Sequence, residues 1–277
     1  MLLFDDEPAF HTRLLQAWTA FALVPFILLF FTQAPYGESL YITCFPSHFQ
    51  TGKFAQSSRW SMSGKLGWMI QEVVSPLSLL YFYQSQPDHL YISLWLLHYM
   101  HRTFIYTWNA PSMNSTTVPI VLSAVLFNLV NGYLNGTHFR LTQINQQPLD
   151  THSVQFLLGL TLFAVGMAVN INSDYSLFHQ RRQASLSQRG RLHGKKEKRY
   201  VIPRGGLFEY VSASNYAGEI VEWLGYAVMT QSPAAWSFFV WTVANLGPRA
   251  YQTHQWYKRQ FGKTYPAQRR ALIPYLL

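Results

Sequence analysis

The 277-residue sequence contains few charged side chains and almost no cysteine. Charged residues make up 12% of the chain, which is about half of the share typical of a soluble domain, while aromatic residues reach 17%. The single cysteine, Cys44, excludes an intramolecular disulfide and a metal site built from several thiolates. This composition is typical of a membrane protein.

Several motifs of soluble nucleotide-binding and metal-dependent enzymes are also missing. The chain contains neither GxGxxG nor GxxxxGK[ST], and it has no HExxH. His98 and His101 are three residues apart, but no third ligand is evident, so we interpret them as helix-packing residues and predict no metal. Alternation of polar and apolar residues over strand lengths is absent, which argues against a β-barrel.

The apolar residues form long windows instead. A hydrocarbon core of about 30 Å needs roughly 20 mostly apolar helical residues to cross it. We therefore predict an all-α fold, a polytopic integral membrane bundle with seven transmembrane helices in a single domain over residues 1–277. A soluble bundle would need polar outer faces, which these windows lack. The predicted spans are residues 14–33, 65–84, 89–108, 118–137, 154–177, 207–230 and 233–256.

The positions of lysine and arginine indicate an orientation. Of the 21 basic residues, 17 lie before span two, between spans five and six, or after span seven. With seven spans these regions share one side, so the positive-inside rule predicts a cytoplasmic C-terminus and an external or lumenal N-terminus. The membrane would be a bacterial inner membrane or the endoplasmic reticulum. Residues 179–206 are long for a connection between helices, and they suggest an anchor over anionic lipid or a lid over an anionic ligand.

Polar residues within the spans concentrate in the half of the bundle that this orientation makes cytoplasmic. Ionisable residues inside a membrane are costly and usually face a cavity or one another. The pattern predicts one polar vestibule beneath residues 179–206, although single Asn or Tyr residues also fit hydrogen bonding between helices. Gly205-Gly206 ahead of span six suggests a phosphate-binding turn. The vestibule residues are Glu72, Tyr99, Arg102, Tyr106, Asn170, Asp174, Arg181, Asn215, Glu219, Glu222, Arg249 and Tyr257.

Several of these residues stand in motifs that resemble the steroid 5α-reductase family. The motifs are Gln71-Glu72, HYMHRTF at 98–104, NINSDY at 170–175, IPRGGLFEYV at 202–211, EIVEWLGY at 219–226 and ALIPY at 271–275. The resemblance covers roughly residues 65–277. It implies a seven-span reductase, a 3-oxo-5-alpha-steroid 4-dehydrogenase, which transfers hydride from NADPH to the C4=C5 double bond of a 3-oxo-Δ4-steroid or a similar enone lipid.

The resemblance also implies roles for individual residues. Glu72 and Tyr99 would be catalytic, because they would hydrogen-bond the 3-keto oxygen and stabilise the negative charge that develops there. A carboxyl group in a low-dielectric interior favours its neutral form, in which it can donate. The steroid would enter from the bilayer and NADPH from the cytoplasm, and neither nucleic acid nor an obligate protein partner is expected. The implied cofactor-binding residues are Asn170, Asp174, Arg181, Tyr200, Asn215, Glu219, Arg249 and Tyr257, to which the vestibule argument adds Tyr106.

Other functions remain open on the sequence. A membrane methyltransferase of the isoprenylcysteine type would also end in a basic aromatic helix followed by pairs such as Tyr265-Pro266 and Ile273-Pro274. The Gln-Glu pair, however, has no evident role with S-adenosylmethionine. A non-catalytic sterol sensor would need no nucleotide site. Among reductases, trans-2-enoyl thioesters and polyprenols are rival substrates.

Overall fold

The computed structural model describes residues 7–31, 60–84, 90–143, 151–189 and 200–276. Lys53, Arg59 and residues 190–199 of the basic segment lie outside the described residues. Two short strands, β1 (Ser61–Met62) and β2 (Thr116–Thr117), pair antiparallel. The predicted all-α class is confirmed, because nearly all remaining regular structure is helical. The helices are α1 (Glu7–Phe21), α2 (Leu23–Phe31), α3 (Gly64–Tyr83), α4 (Leu90–Met100), α5 (Tyr106–Asn109), α6 (Val118–Gln143), α7 (Val154–Arg189), α8 (Ser214–Thr230) and α9 (Pro233–Phe261).

Local sequence accounts for the sharp turn between α8 and α9. Gln231 ends α8 in the left-handed conformation, with φ of 52°. The Ser232 hydroxyl then accepts a hydrogen bond from the Ala235 amide, and Pro233 occupies the first helical position. Proline suits that position because its missing N–H would have no partner within the helix. The two helices therefore reverse direction within three residues and pack as neighbours.

Two predicted boundaries are wrong. Window 207–230 contains a 3-10 turn (Gly206–Glu209) and extended chain before α8 begins at Ser214. Gly205 and Gly206 both have positive φ, 87° and 56°, a conformation that interrupts a helix. The predicted connection 179–206 is helical as far as Arg189. Residues 176–189 contain no glycine or proline and are rich in helix-forming side chains, so α7 continues past its apolar part.

Length and composition identify membrane-crossing helices in the described part of the chain. Three helices qualify: Glu7–Phe31, Val118–Thr142 and Val154–Leu186. Helices α4 and α8 are shorter, with 11 and 17 residues. Large apolar side chains such as Leu77, Leu122 and Val165 are exposed on the outside of the bundle, as a lipid-facing surface requires. The chain is thus a helical membrane protein, while the number of seven spans stays a prediction.

Helices α7 and α8 pack backbone against backbone along a seam of glycines. A Cβ atom on Gly166 would lie 2.2 Å from the Glu222 nitrogen, and one on Gly218 would lie 2.4 Å from the Asn170 nitrogen. Gly159 and Gly225 make equally close approaches further along the helices. Small residues let membrane helices approach closely in this way. The seam fixes the height of polar residues on α7 relative to those on α8.

A buried aromatic core lies next to the polar residues. Trp95 of α4, Trp223 of α8 and Phe238 of α9 meet with ring centroids 4.5–4.9 Å apart. Tyr99 stacks on Trp95 at 5.6 Å, so the core continues directly to the predicted vestibule. Rigid aromatic packing of this kind restricts the positions of the adjoining polar side chains.

Candidate active site

Arg102 lies at the centre of a polar cluster between α3, α7 and α8. Its Nη1 atom is 3.5 Å from Oδ2 of Asp174, and its Nη2 atom is 3.3 Å from Oε2 of Glu219. The guanidinium also lies over the rings of Trp68 and Tyr106, at 5.0 and 4.8 Å from their centroids. A planar arginine can satisfy two carboxylates and two aromatic faces at once. One side chain thereby joins three helices.

The backbone at Arg102 is a π-helical turn, His101–Ile105, between α4 and α5. The Trp68 indole donates a hydrogen bond to the Arg102 carbonyl at 3.3 Å. Single π-helical turns are rare and occur frequently at functional sites. The turn brings both the side chain and the carbonyl of Arg102 against neighbouring helices. Tyr106 still lies beside Arg102, as the shared helix face predicts.

Two amides connect the carboxylates of this cluster. Asn170 Nδ2 donates to the Asn215 carbonyl at 2.9 Å and to Glu219 Oε2 at 3.4 Å. Asn215 Nδ2 donates to Asp174 Oδ1 at 2.9 Å. Asn170 and Asp174 are buried, at 3% and 2% exposed. The four residues form a continuous network that spans α7 and α8 directly above the glycine seam.

Glu72 and Tyr99 lie beside the Arg102 cluster. Gln71 Nε2 donates to Glu72 Oε1 at 3.2 Å, and Glu72 interacts electrostatically with Arg102. Tyr99 lies close to Ser75 and to Glu72. Tyr99 is only 4% exposed. A partly buried carboxyl and a buried phenol from two helices therefore lie in the same region.

His98 makes a further polar contact in this region. Its Nδ1 atom is 2.7 Å from Oε1 of Glu222 on α8, and both side chains are buried. Glu222 Oε2 has no hydrogen-bond partner among the described residues. His101 instead packs edge-on against Tyr175 of α7. Each histidine thus connects its helix to another helix, in line with the packing interpretation of the sequence.

Two of the implied cofactor residues meet in a separate aromatic group. Tyr200 packs edge-on against Trp256 at 4.7 Å, and Trp256 packs against Tyr257 at 4.9 Å. Tyr257 then stacks almost parallel on Tyr265. Arg249 is partly buried on α9, two turns before Tyr257. The last implied residue, Arg181, lies on an exposed face of α7 and interacts electrostatically with Asp174.

Glu209 occupies the turn that the sequence suggested for phosphate. Its Oε1 atom accepts a hydrogen bond from the Gly205 amide at 2.7 Å. That amide, together with Arg269 and Arg204, holds the pKa of Glu209 below its usual range. The prediction of a phosphate-binding turn at Gly205 is therefore not supported, because the Gly205 amide already donates its hydrogen bond to the carboxylate of Glu209.

Arg269 ties the C-terminal tail to this turn. Its Nη1 atom donates to the Pro203 carbonyl at 2.8 Å and its Nη2 atom to Glu209 Oε2 at 3.2 Å. The residue is 1% exposed, although it is one of the basic residues whose positions indicated a cytoplasmic tail. Backbone hydrogen bonds between residues 210–213 and residues 270–271 complete the connection. The tail thereby fixes the chain that leads into α8.

Most predicted vestibule residues converge at one end of the bundle. The convergence was predictable because the spacing of polar residues places them on one face of each helix. Trp68 and Ser75 were not predicted, since aromatic and hydroxyl residues also occur at ordinary packing positions. The residues brought together around Arg102 are Glu72, Tyr99, Tyr106, Asn170, Asp174, Asn215 and Glu219.

Comparison with known proteins identifies relatives over most of the chain. The family described as 3-oxo-5-alpha-steroid 4-dehydrogenase matches residues 114–277. The steroid 5-alpha-reductase DET2 of Solanum lycopersicum is 37% identical, over 92% of this chain and 92% of the relative. The 3-oxo-5-alpha-steroid 4-dehydrogenase 1 of Rattus norvegicus is 36% identical over 76% and 79%, and the human 3-oxo-5-alpha-steroid 4-dehydrogenase 2 is 34% identical over 78% and 82%.

Proposed function

The chain belongs to the 3-oxo-5-alpha-steroid 4-dehydrogenase family, the steroid 5-alpha-reductases, and from this premise we propose that it reduces the C4=C5 double bond of a 3-oxo-Δ4-steroid with NADPH. It is accordingly an oxidoreductase that acts on CH–CH groups. One observation supports the proposed substrate and cofactor. The partly buried Glu72 and the buried Tyr99 lie beside the Arg102 network. Two side chains that could polarise a carbonyl therefore adjoin residues suited to bind a nucleotide.

The two catalytic residues act on the carbonyl oxygen of the enone. As the β-carbon is reduced, negative charge moves to that oxygen. A protonated Glu72 and the Tyr99 hydroxyl each donate a hydrogen bond to it, and fixed donors in a water-poor site lower the barrier because they need no reorganisation. Gln71 fixes the carboxyl of Glu72 from one side. A proton added at the α-carbon completes the reduction, with Tyr99 and water as candidate donors.

The residues around Arg102 fit a dinucleotide cofactor. Asn170, Asp174, Asn215 and Glu219 supply amide donors and carboxylate acceptors at one end of the bundle, which suits ribose hydroxyls and a carboxamide. Arg181 on the exposed face of α7 supplies positive charge for phosphate groups. We assign Tyr106 to the same site, and Arg249 with the separate aromatic group of Tyr200 and Tyr257 to another part of the same cofactor. When bound, NADPH supplies the hydride.

We also propose that this site faces the cytoplasm and that the seven predicted spans each cross the membrane, with α8 as the helical part of the sixth. The support is the placement of 17 of 21 basic residues on one side under that topology. A steroid then enters from the bilayer, and the cofactor enters from the cytoplasm near the end of α7. Reporter fusions to each terminus test this arrangement: we expect the C-terminal reporter in the cytoplasm and the N-terminal reporter outside or in the lumen. An N-terminus in the cytoplasm would contradict it.

The activity itself is tested with purified protein in lipid-containing detergent. A 3-oxo-Δ4-steroid, a trans-2-enoyl thioester and a polyprenol are each supplied with NADPH, and NADPH oxidation and product mass are followed. We expect oxidation with the steroid and a product that has gained a hydride and a proton. Turnover of only the thioester or the polyprenol would reassign the substrate. Methyl transfer from S-adenosylmethionine without NADPH oxidation would overturn the reductase proposal.

A further inference from the structure

The buried pair of His98 and Glu222 has no role in the proposed mechanism. Its two atoms, Nδ1 and Oε1, are 2.7 Å apart, and the Glu222 side chain is completely buried. Burying a carboxylate and an imidazole is costly, and a pair of apolar residues often gives equal stability. The pair therefore calls for an explanation beyond helix packing.

The His98 ring lies between Glu222 and the neighbouring aromatic rings. It packs edge-on against Tyr99 at 5.1 Å and against Trp223 at 4.7 Å. Tyr99 also stacks on Trp95, whose indole donates a hydrogen bond to Ser75 at 3.1 Å. The orientation of the Tyr99 ring thus depends on His98 on one side and on Trp95 on another.

Glu222 is itself held by the backbone. It is the residue of α8 whose nitrogen approaches Gly166 most closely, at a point where a Cβ on that glycine would lie 2.2 Å away. Such an approach leaves little freedom for α8 to shift along α7. Because the position of Glu222 is fixed, its short hydrogen bond restricts the orientation of the His98 ring. The His98 ring packs against Tyr99 and restricts the orientation of Tyr99 in turn.

We propose that His98 and Glu222 form a positioning pair that sets the direction of the Tyr99 hydroxyl. This inference rests on the proposed function of Tyr99 as a donor to the carbonyl oxygen. The alternative role, helix packing alone, predicts that any variant that restores stability also restores turnover. The positioning role predicts that a variant can recover the stability of the protein without recovering its turnover.

Three variants test the separation. Glu222→Leu removes the acceptor and leaves a buried donor on His98, so we expect a lower thermal unfolding temperature and a kcat about ten- to a hundredfold below wild type, with KM for the steroid little changed. The double variant His98→Leu with Glu222→Leu removes both polar partners and should recover the unfolding temperature but not kcat. Recovery of both would overturn the proposal. Glu222→Gln keeps an acceptor for Nδ1 and should retain most of the turnover.

A second measurement covers the case in which the leucine variants fail to fold. If Glu222→Gln unfolds at the wild-type temperature yet loses turnover a hundredfold, charge and not position is required, and the proposal is wrong. In a Tyr99→Phe background, Glu222→Gln and Glu222→Leu should have no further effect on kcat, because the pair acts through the Tyr99 hydroxyl. A further loss there contradicts the positioning role. Wild-type turnover by Tyr99→Phe alone would instead overturn the proposed function.

Discussion

At the scale of single residues, Arg102 illustrates how one cation can organise a membrane site. It lies within reach of two carboxylates, Asp174 and Glu219, and its side chain is 12% exposed. Removing one partner of a buried ion pair leaves an uncompensated charge, which typically costs about 3–5 kcal/mol. Exposed pairs are worth much less, roughly 0–1 kcal/mol. The burial of an arginine and its partners therefore determines how strongly the substitution of that arginine destabilises the protein.

We expect Arg102→Gln to lower the thermal unfolding temperature far more than Arg140→Gln. The control arginine pairs with Glu7 at the opposite end of the bundle, where both side chains are more than a fifth exposed. Arg102→Lys should give an intermediate value, because lysine keeps the charge but lacks the planar fork. The three variants are compared by thermal unfolding in the same detergent. Equal losses for Arg102→Gln and Arg140→Gln would show that the Arg102 network adds no special stability.

The sequence predicted many contacts at this scale because charge and helix period are both visible in it. Glu219, Asp174 and Arg102 converge, as the vestibule argument requires. The partner of Glu222 was not predicted, because several polar residues shared the vestibule and spacing alone does not choose between them. Burial of Arg269 was not predicted either. Its acceptor, the Pro203 carbonyl, is a backbone group 66 residues away and has no signature in the sequence.

At the scale of elements, the lengths of the apolar segments predict where the helices lie but not where all of them begin and end. Hydropathy indicates how much of a helix lies in the membrane, so the predicted span stops at residue 177 although α7 extends to Arg189. The opposite difference occurs at α8, where residues 207–213 of the predicted span form a turn and extended chain held by the tail. The π-helical turn at His101–Ile105 was also missed, since it depends on tertiary contacts of Arg102.

Close approach between elements is easier to rationalise than to predict. Gly159 and Gly166 are seven residues apart on α7, as are Gly218 and Gly225 on α8, and the two pairs interlock. A spacing of seven returns to the same face after about two turns. The pattern indicates a packing stripe on each helix, but only the structure shows that the two stripes meet and that they fix Glu222 and Asn170.

At the scale of the whole molecule, the bundle separates two environments. Apolar side chains cover the outer surface, while the polar network is confined to one end. Under the proposed function, a lipophilic enone dissolved in the bilayer and a charged cofactor dissolved in water would meet at Glu72 and Tyr99, each arriving from its preferred solvent. The C-terminal tail closes the same end, since Arg269 binds both Pro203 and Glu209.

The most direct test of the central claim is the turnover of Glu72 variants with saturating NADPH and a 3-oxo-Δ4-steroid. Loss of one donor to a developing oxyanion typically costs about 2.7–4 kcal/mol, a hundred- to a thousandfold in rate. We predict a loss of that size for Glu72→Ala, a smaller loss for Glu72→Gln, and nearly unchanged NADPH affinity in both. A folded Glu72→Ala protein that binds NADPH and reduces the steroid at the wild-type rate would contradict the account and leave Glu72 as a structural partner of Gln71.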